Sequence, residues 1–186
     1  MPHAGLVYTY QAMSASGLPE LQVEVRGGLF LHVRPIRPED EPLLQEAFSR
    51  MSERSVYFRF FSPLKRLPEE LAQRLALVDY KDRFALVATT QAADGHEQIV
   101  GVARYDRAPG TDTAEVALAV VDDYQRRGVG AILLGLLAQV AREHAIRRFS
   151  LVVLPENQTM LALLRRLGWI HKATLRGGVY EIEFEV

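Results

Sequence analysis

The sequence predicts a mixed α/β (α+β) domain in which one mixed, mostly antiparallel sheet carries helices on both faces, and three observations predict it. Alternating apolar segments punctuated by glycines and short polar turns recur along the chain, as strands joined in a meander do. A long apolar stretch from Gly128 to about His144 separates two extended runs, Thr113–Val121 and Phe149–Leu154, and a crossover helix of that kind links parallel strands. Between the first run and the helix stands Gln125-Arg126-Arg127-Gly128-Val129-Gly130-Ala131, whose glycines suit a tight turn into a helix N-terminus.

Taken in order, residues Met1 to about Glu20 carry few charges and no clear period, and read as a tail or accessory segment. Leu21–Val25 and Leu29–Ile36 alternate on either side of Gly27-Gly28, which predicts a hairpin. Pro38-Glu39-Asp40-Glu41-Pro42 puts prolines and acids in the first turn of a helix reaching about Met51. Ser52 is placed to cap a short helix containing Tyr57 and Phe60, and Pro68-Glu69-Glu70 opens a third helix to about Val78.

Two extended runs follow, Phe84–Thr90 and Gln98–Asp106, joined by the polar turn Ala93-Asp94-Gly95-His96. Next come the strand Thr113–Val121, the apolar helix, the buried strand Phe149–Leu154, and a helix from Asn157 to Leu167 that Gly168 ends. A hairpin around Gly177-Gly178 closes the chain. The expected organisation is a tail and first hairpin strand over residues 1–28, and one domain over residues 29–186.

Composition narrows the function. Twenty-two basic and twenty-three acidic side chains leave a net charge of −1, which gives no reason to expect a nucleic-acid partner. The absence of cysteine excludes disulfides, thiolate metal sites and an enzyme-bound thioester, so an acyl group would pass directly to its acceptor unless a hydroxyl carried it. The longest apolar stretches fall well short of the roughly 20 residues that span a bilayer, and the N-terminus lacks the basic start of a secretory signal. A cytoplasmic protein with no membrane partner is expected.

The glycine turn carries the chemistry. Its backbone can present consecutive N–H groups, the helix beyond it has unpaired first donors and a positive dipole end, and two arginines add charge, so it is suited to cradle a diphosphate. A dinucleotide fingerprint fails because its third glycine would fall at Leu133, and a nucleoside-triphosphate loop fails because no Lys-Ser or Lys-Thr follows. The wider string is Ala114-Glu115-Val116-Ala117-Leu118-Ala119-Val120, then the turn, Ile132-Leu133-Leu134, Asn157 and Leu167-Gly168-Trp169. It resembles the acetyl-CoA-binding core of the GNAT superfamily of N-acetyltransferases, whose signature is Gln/Arg-x-x-Gly-x-Gly/Ala. Val33–Pro42, Ser55–Phe61 and Ala114–Ala117 are most similar to bacterial protein lysine acetyltransferases.

The resemblance implies a GNAT fold with a splayed parallel strand pair that binds acyl-CoA, over roughly residues 29–186. It implies that Leu118, Ala119 and Val120 line the pantetheine like an added strand, with the Val120 N–H polarising the thioester carbonyl. Gln125, Arg126, Arg127, Gly128, Val129, Gly130 and Ala131 would hold the pyrophosphate of the cosubstrate acetyl-CoA, and Asn157 would cap its helix and bind the pantetheine arm or a water. No metal is implied. A lysine amine is neutral in only about one molecule in 2,500 at pH 7, so a base or a proton path is needed. Glu115 is the candidate, because it shares a strand face with Thr113, Ala117, Ala119 and Val121, whose small side chains leave room for a guest; the bland reading is an exposed charge.

Many superfamily members place a thiolate-protonating tyrosine seven residues after that asparagine, where this chain has Leu164. Tyr57, Tyr80 and Tyr105 are the remaining donors to test, Glu156 is a second-choice base, and Asp79 and Asp82 are candidate attractors of a cationic amine. Arg147-Arg148 or Arg165-Arg166 offers a contact for the 3′-phosphate of CoA. The five histidines show no ligand spacing. The expected acceptor is a protein lysine or a small amine, the chain a monomer or homodimer. A different class stays open, an acyl-CoA-sensing domain that keeps the cradle and not the reaction.

Overall fold

The structure, a computed structural model, describes residues 8–13, 19–170 and 172–186. Its strands are β1 (Tyr8–Met13), β2 (Pro19–Val25), β3 (Leu29–Pro35), β4 (Arg83–Gln91), β5 (Glu97–Arg107), β6 (Thr113–Val120), β7 (Arg148–Val153), β8 (Lys172–Arg176) and β9 (Val179–Glu185). Its helices are α1 (Glu41–Ser49), α2 (Glu53–Phe60), α3 (Glu69–Ala76), α4 (Val129–Glu143) and α5 (Gln158–Arg166), with single 3-10 turns at Pro38–Asp40 and Asp122–Tyr124.

The described strands form one sheet in the order β1-β2-β3-β4-β5-β6-β7-β9-β8. Neighbours are antiparallel throughout, apart from β6 and β7, which run parallel because α4 carries the chain back across the sheet between them. Each face buries its own core. Phe84, Leu86 and Tyr105 turn to the face covered by α4 and α5, where Leu133, Leu134, Leu137 and Leu164 meet them. Ala85, Val87 and Ile99, one residue out of phase, turn to the face covered by α1, α2 and α3, through Leu44, Phe48, Val56 and Ala72.

The boundaries match the expected order closely. Ser52 caps α2, its hydroxyl accepting the Ser55 N–H, and both glycine hairpins form. One element was not anticipated: Tyr8–Met13 pairs with β2 as an outer strand, inside the segment read as a tail. Its pairing with β2 satisfies backbone groups regardless of side-chain period, which is why hydropathy does not reveal it. The rest of the segment read as a tail, residues 1–7 and 14–18, lies outside the described residues.

A second unanticipated feature is a buried ion pair. Arg34, 1% exposed, makes a bidentate bond to Asp40 at 2.7 and 2.8 Å and reaches Glu97 at 3.1 Å. Asp40 also accepts the Arg37 N–H, so the 3-10 turn before α1 is pinned to the sheet. The stretch Val33–Pro42 therefore has a structural use: it joins the first helix to β3.

Candidate active site

The parallel pair comes apart. Thr113, Ala114 and Glu115 pair with Arg148, Phe149 and Ser150, and there the ladder stops, although β6 runs on to Val120 and β7 to Val153. The Val121 N–H bonds the Val100 carbonyl at 2.9 Å, so the backbone groups of alternate residues, Ala119 and Ala117, point to β5 while those of Val120 and Leu118 point into the opening. Strand-like contact with a guest thus belongs to Leu118 and Val120; Ala119 lines the cleft but its amide faces β5. The opening is part of a cleft of about 910 Å³.

Glu115 lies at the vertex, exposed, on the α2 face of the sheet, and its carboxylate forms no hydrogen bond or ion pair among the described residues. At the other end the chain curls through two left-handed residues, Arg126 (φ 59°) and Gly128 (φ 100°), into α4. Gly130 lets the first turn of that helix approach the sheet, since a Cβ there would stand 3.0 Å from Leu118 Cδ2 and 3.2 Å from Leu163 Cδ2. Arg126, Gly128, Gly130 and Ala131 all line the cleft. Arg127 and Val129 do not: the Arg127 guanidinium lies 5.7 Å from the centroid of the Tyr124 ring, and Val129 is buried in the core. Gln125 spends its side-chain amide within the protein, on the Val120 carbonyl at 3.0 Å and the Ser55 hydroxyl at 3.1 Å.

Asn157 lines the cleft and caps α5, its side-chain oxygen accepting the Met160 N–H at 3.1 Å. Leu164 is fully buried and faces the core. The three tyrosines considered as donors stand away from the cleft. Tyr80 bonds the Ile36 carbonyl, Tyr105 is buried against the Lys81 carbonyl and His144, and Tyr57 is solvent-exposed. Burial pushes the Tyr105 hydroxyl well above its ordinary range.

Helix α2 supplies residues that sequence reasoning missed. Arg54, Phe58 and Arg59 line the cleft, as does Arg26 from the β2–β3 turn, whose N–H bonds the Arg127 carbonyl at 3.1 Å. With Arg126 and Arg166 these make five arginines around the cleft against Glu115, Asp122 and Glu156; Arg59 lies within electrostatic reach of Glu115 at the vertex, whereas Arg26 and Arg126 flank the glycine turn and give that end a basic rim suited to a polyanion. Of the arginine pairs weighed for a phosphate, Arg166 reaches the cleft and Arg148 is engaged by Asp112 at 2.8 Å. Burial, and after it the Arg104 guanidinium, lowers Arg59 to about 10, against the pull of Glu115 and Asp106.

Asp79 and Asp82 hold a turn. Asp79 accepts the N–H groups of Lys81, Asp82 and Arg83, bonds that outweigh burial and keep its carboxyl below its ordinary value, and Asp82 pairs with Arg107. Neither lines the cleft, so they are not the amine attractors considered above. Among the described residues no group of three or more metal-ligating side chains comes together, and no helix is long and apolar enough to cross a membrane.

The unpaired strand edges, the glycine turn and the basic rim fit a ligand that is extended at one end and diphosphorylated at the other. Residues 46–169 match the family model described as Acetyltransferase (GNAT) family. The chain is 34% identical over 161 residues to the acetyltransferase Pat of Mycolicibacterium smegmatis, covering 85% of this chain and 47% of that one, and so spans about half the length of that relative. It is 32% identical over 143 residues to an acetyltransferase of Pseudomonas aeruginosa, covering 77% of this chain and 76% of that one. The crystal structure of the GNAT domain of S. lividans PAT superposes with a TM-score of 0.82 at 36% identity, over 90% of this chain and 97% of that one. A family match across most of the chain, two relatives above 30% identity and a splayed sheet of the expected form lead to one conclusion: the chain belongs to the GNAT acetyltransferase family.

Proposed function

We propose that the chain is an acetyl-CoA-dependent N-acetyltransferase that passes an acetyl group directly to an amine, most simply the side chain of a protein lysine. The observation that carries this reading is the position of Glu115, an unbonded carboxylate at the vertex of the strand opening, on the face that α2 roofs. Acetyl-CoA supplies an activated acyl thioester. Gly128, Gly130, Ala131 and Arg126 would hold its phosphates, and Leu118 and Val120 its pantetheine arm.

The acceptor nitrogen forms the new C–N bond as the thioester C–S bond breaks. Glu115 receives the proton that the amine gives up, directly or through a water, and the Val120 N–H stabilises the negative charge that develops on the acyl oxygen. A thiol of pKa about 8.5 departs readily without a side-chain acid. This suits a cleft in which α5 contributes Met160 and Leu163 and no tyrosine. The absence of cysteine supports direct transfer, and the resemblance to bacterial lysine acetyltransferases supports a lysine as the acceptor.

Incubation with labelled acetyl-CoA and either a proteome extract or a panel of polyamines, amino acids and aminated drugs tests the acceptor class. Labelled protein lysines without small-amine turnover support the reading. Turnover of small amines alone moves the function to a small-molecule acetyltransferase, and CoA binding without any transfer moves it to a sensing domain.

A further inference from the structure

The N-terminus of α2 is fastened to the segment that joins β6 to the glycine turn. Asp122 accepts three hydrogen bonds: from the Ser52 N–H at 2.9 Å, the Ser52 hydroxyl at 2.6 Å and the Ser55 hydroxyl at 2.9 Å. The Ser55 hydroxyl in turn accepts from the Gln125 amide at 3.1 Å, and the same amide donates to the Val120 carbonyl at 3.0 Å. Each hydroxyl donates once and accepts once, Ser52 taking the Ser55 N–H at 3.2 Å, so the chain of bonds has one consistent direction. On the far side of the opening, Arg54 reaches the Glu156 carbonyl beyond β7 at 3.4 Å. Helix α2 therefore bridges the two parted strands and brings Arg54, Phe58 and Arg59 to the cleft.

We propose that Asp122, with Ser52 and Ser55, is a positioning device that sets the acceptor wall formed by α2 against the strand end carrying Val120, so that acceptor recognition depends on it while cofactor binding does not. The inference rests on the transferase reading above and deepens it. None of the three side chains is needed as a ligand for phosphate. The Asp122 carboxylate would repel an anion, and its oxygens are taken up by donors from α2. What the cluster fixes is distance: α2 shares no strand ladder with the sheet, and among the described residues its polar ties to β6 and the turn after it run through Ser52 and Ser55. Shifting α2 moves Phe58 and Arg59 relative to Glu115. A displacement of that size changes how often an amine reaches the base, while none of the bonds involved is made by Arg126, Gly128, Gly130 or Ala131, the residues assigned to the diphosphate.

The test compares wild type with Asp122→Asn and Ser55→Ala, using the acceptor identified above. Asp122→Asn turns one acceptor oxygen into a donor facing donors, and is expected to lower kcat/KM for the acceptor by about tenfold or more, with the Kd for CoA, measured by calorimetry, within about twofold. Amide hydrogen exchange across residues 56–60 is expected to quicken in the variant. Ser55→Ala, which keeps the Ser52 bonds, is expected to move both readouts the same way by less, and Asp122→Glu to recover part of the loss. An unchanged acceptor kcat/KM, a parallel loss of CoA affinity, or unaltered exchange in α2 would overturn the proposal. A wild-type protein that acetylates nothing would instead defeat the transferase reading, leaving the exchange and CoA arms to decide whether the clasp exists.

Discussion

Glu115 stands opposite Ser150 in the last rung of the parallel ladder between β6 and β7, and beyond that rung the two strands no longer pair. One register therefore sets both the place of the carboxylate and the point where the opening begins. Glu115 is held at the closed end by β-pairing with Asp106 on its other side, a rigid mount for a base.

If that carboxylate accepts the amine proton, Glu115→Gln removes the acceptor and leaves the shape. Turnover at saturating acceptor should fall by about 10² or more, with CoA affinity nearly unchanged. Steady-state rates and calorimetry on the same preparation check this, and near-normal turnover would remove Glu115 from the mechanism.

Gly128 adopts φ 100° with open space around a would-be Cβ, so the cost of Gly128→Ala comes from the backbone alone. A side chain at positive φ costs about 1–2 kcal/mol, and relieving it distorts the turn. The variant should lose about that much stability in urea and bind CoA more weakly than wild type. Unaltered CoA affinity would mean that the turn does not hold the ligand.

The buried Arg34–Asp40 pair should matter to folding and not to chemistry, because it lies between β3 and the start of α1 and does not line the cleft. Asp40→Ala removes the bidentate partner of a guanidinium that is 1% exposed, leaving Glu97 alone to compensate. Breaking such a pair costs about 3–5 kcal/mol, and urea unfolding should show a loss near the lower end of that range. A loss below about 1 kcal/mol would show that the pair contributes little.

Asp122 makes a prediction about pH. Burial alone would raise its carboxyl, but the Ser52 and Ser55 donors outweigh burial and hold it below its ordinary value. A depressed folded value means that the group adds stability above its unfolded pKa, about 3.9, and that this stability is lost as pH falls through the folded value. The melting temperature of Asp122→Asn should therefore lie furthest below wild type near neutrality and converge on it in acid. A difference that stays constant into acid would contradict the assignment.

Much of this architecture is legible in the sequence, for identifiable reasons. Glycines at 27, 28, 177 and 178 mark the two hairpins, and Ser52 announces its own helix because capping is a local bond. The face of Glu115 follows from strand alternation, whereas the edge to which the Val120 N–H points is set by the pairing of β6 with β5. What hydropathy does not show is set by tertiary contact. The turning of Arg127 onto Tyr124, the use of the Gln125 amide as a brace, and the delivery of Arg26, Arg54 and Arg59 to the cleft depend on elements distant in the chain. Asp40 is legible only as an acid near a helix start, and its burial together with Arg34 is set by the fold.

The central claim is that Arg126, Gly128, Gly130 and Ala131 bind the diphosphate of CoA, and the backbone groups of Leu118 and Val120 its arm. Calorimetric titration of the intact protein with CoA tests it most directly. The account predicts one site per chain, weakened in Gly128→Ala and retained in Glu115→Gln. Absence of binding by the folded protein, or binding that Gly128→Ala leaves untouched, would contradict it.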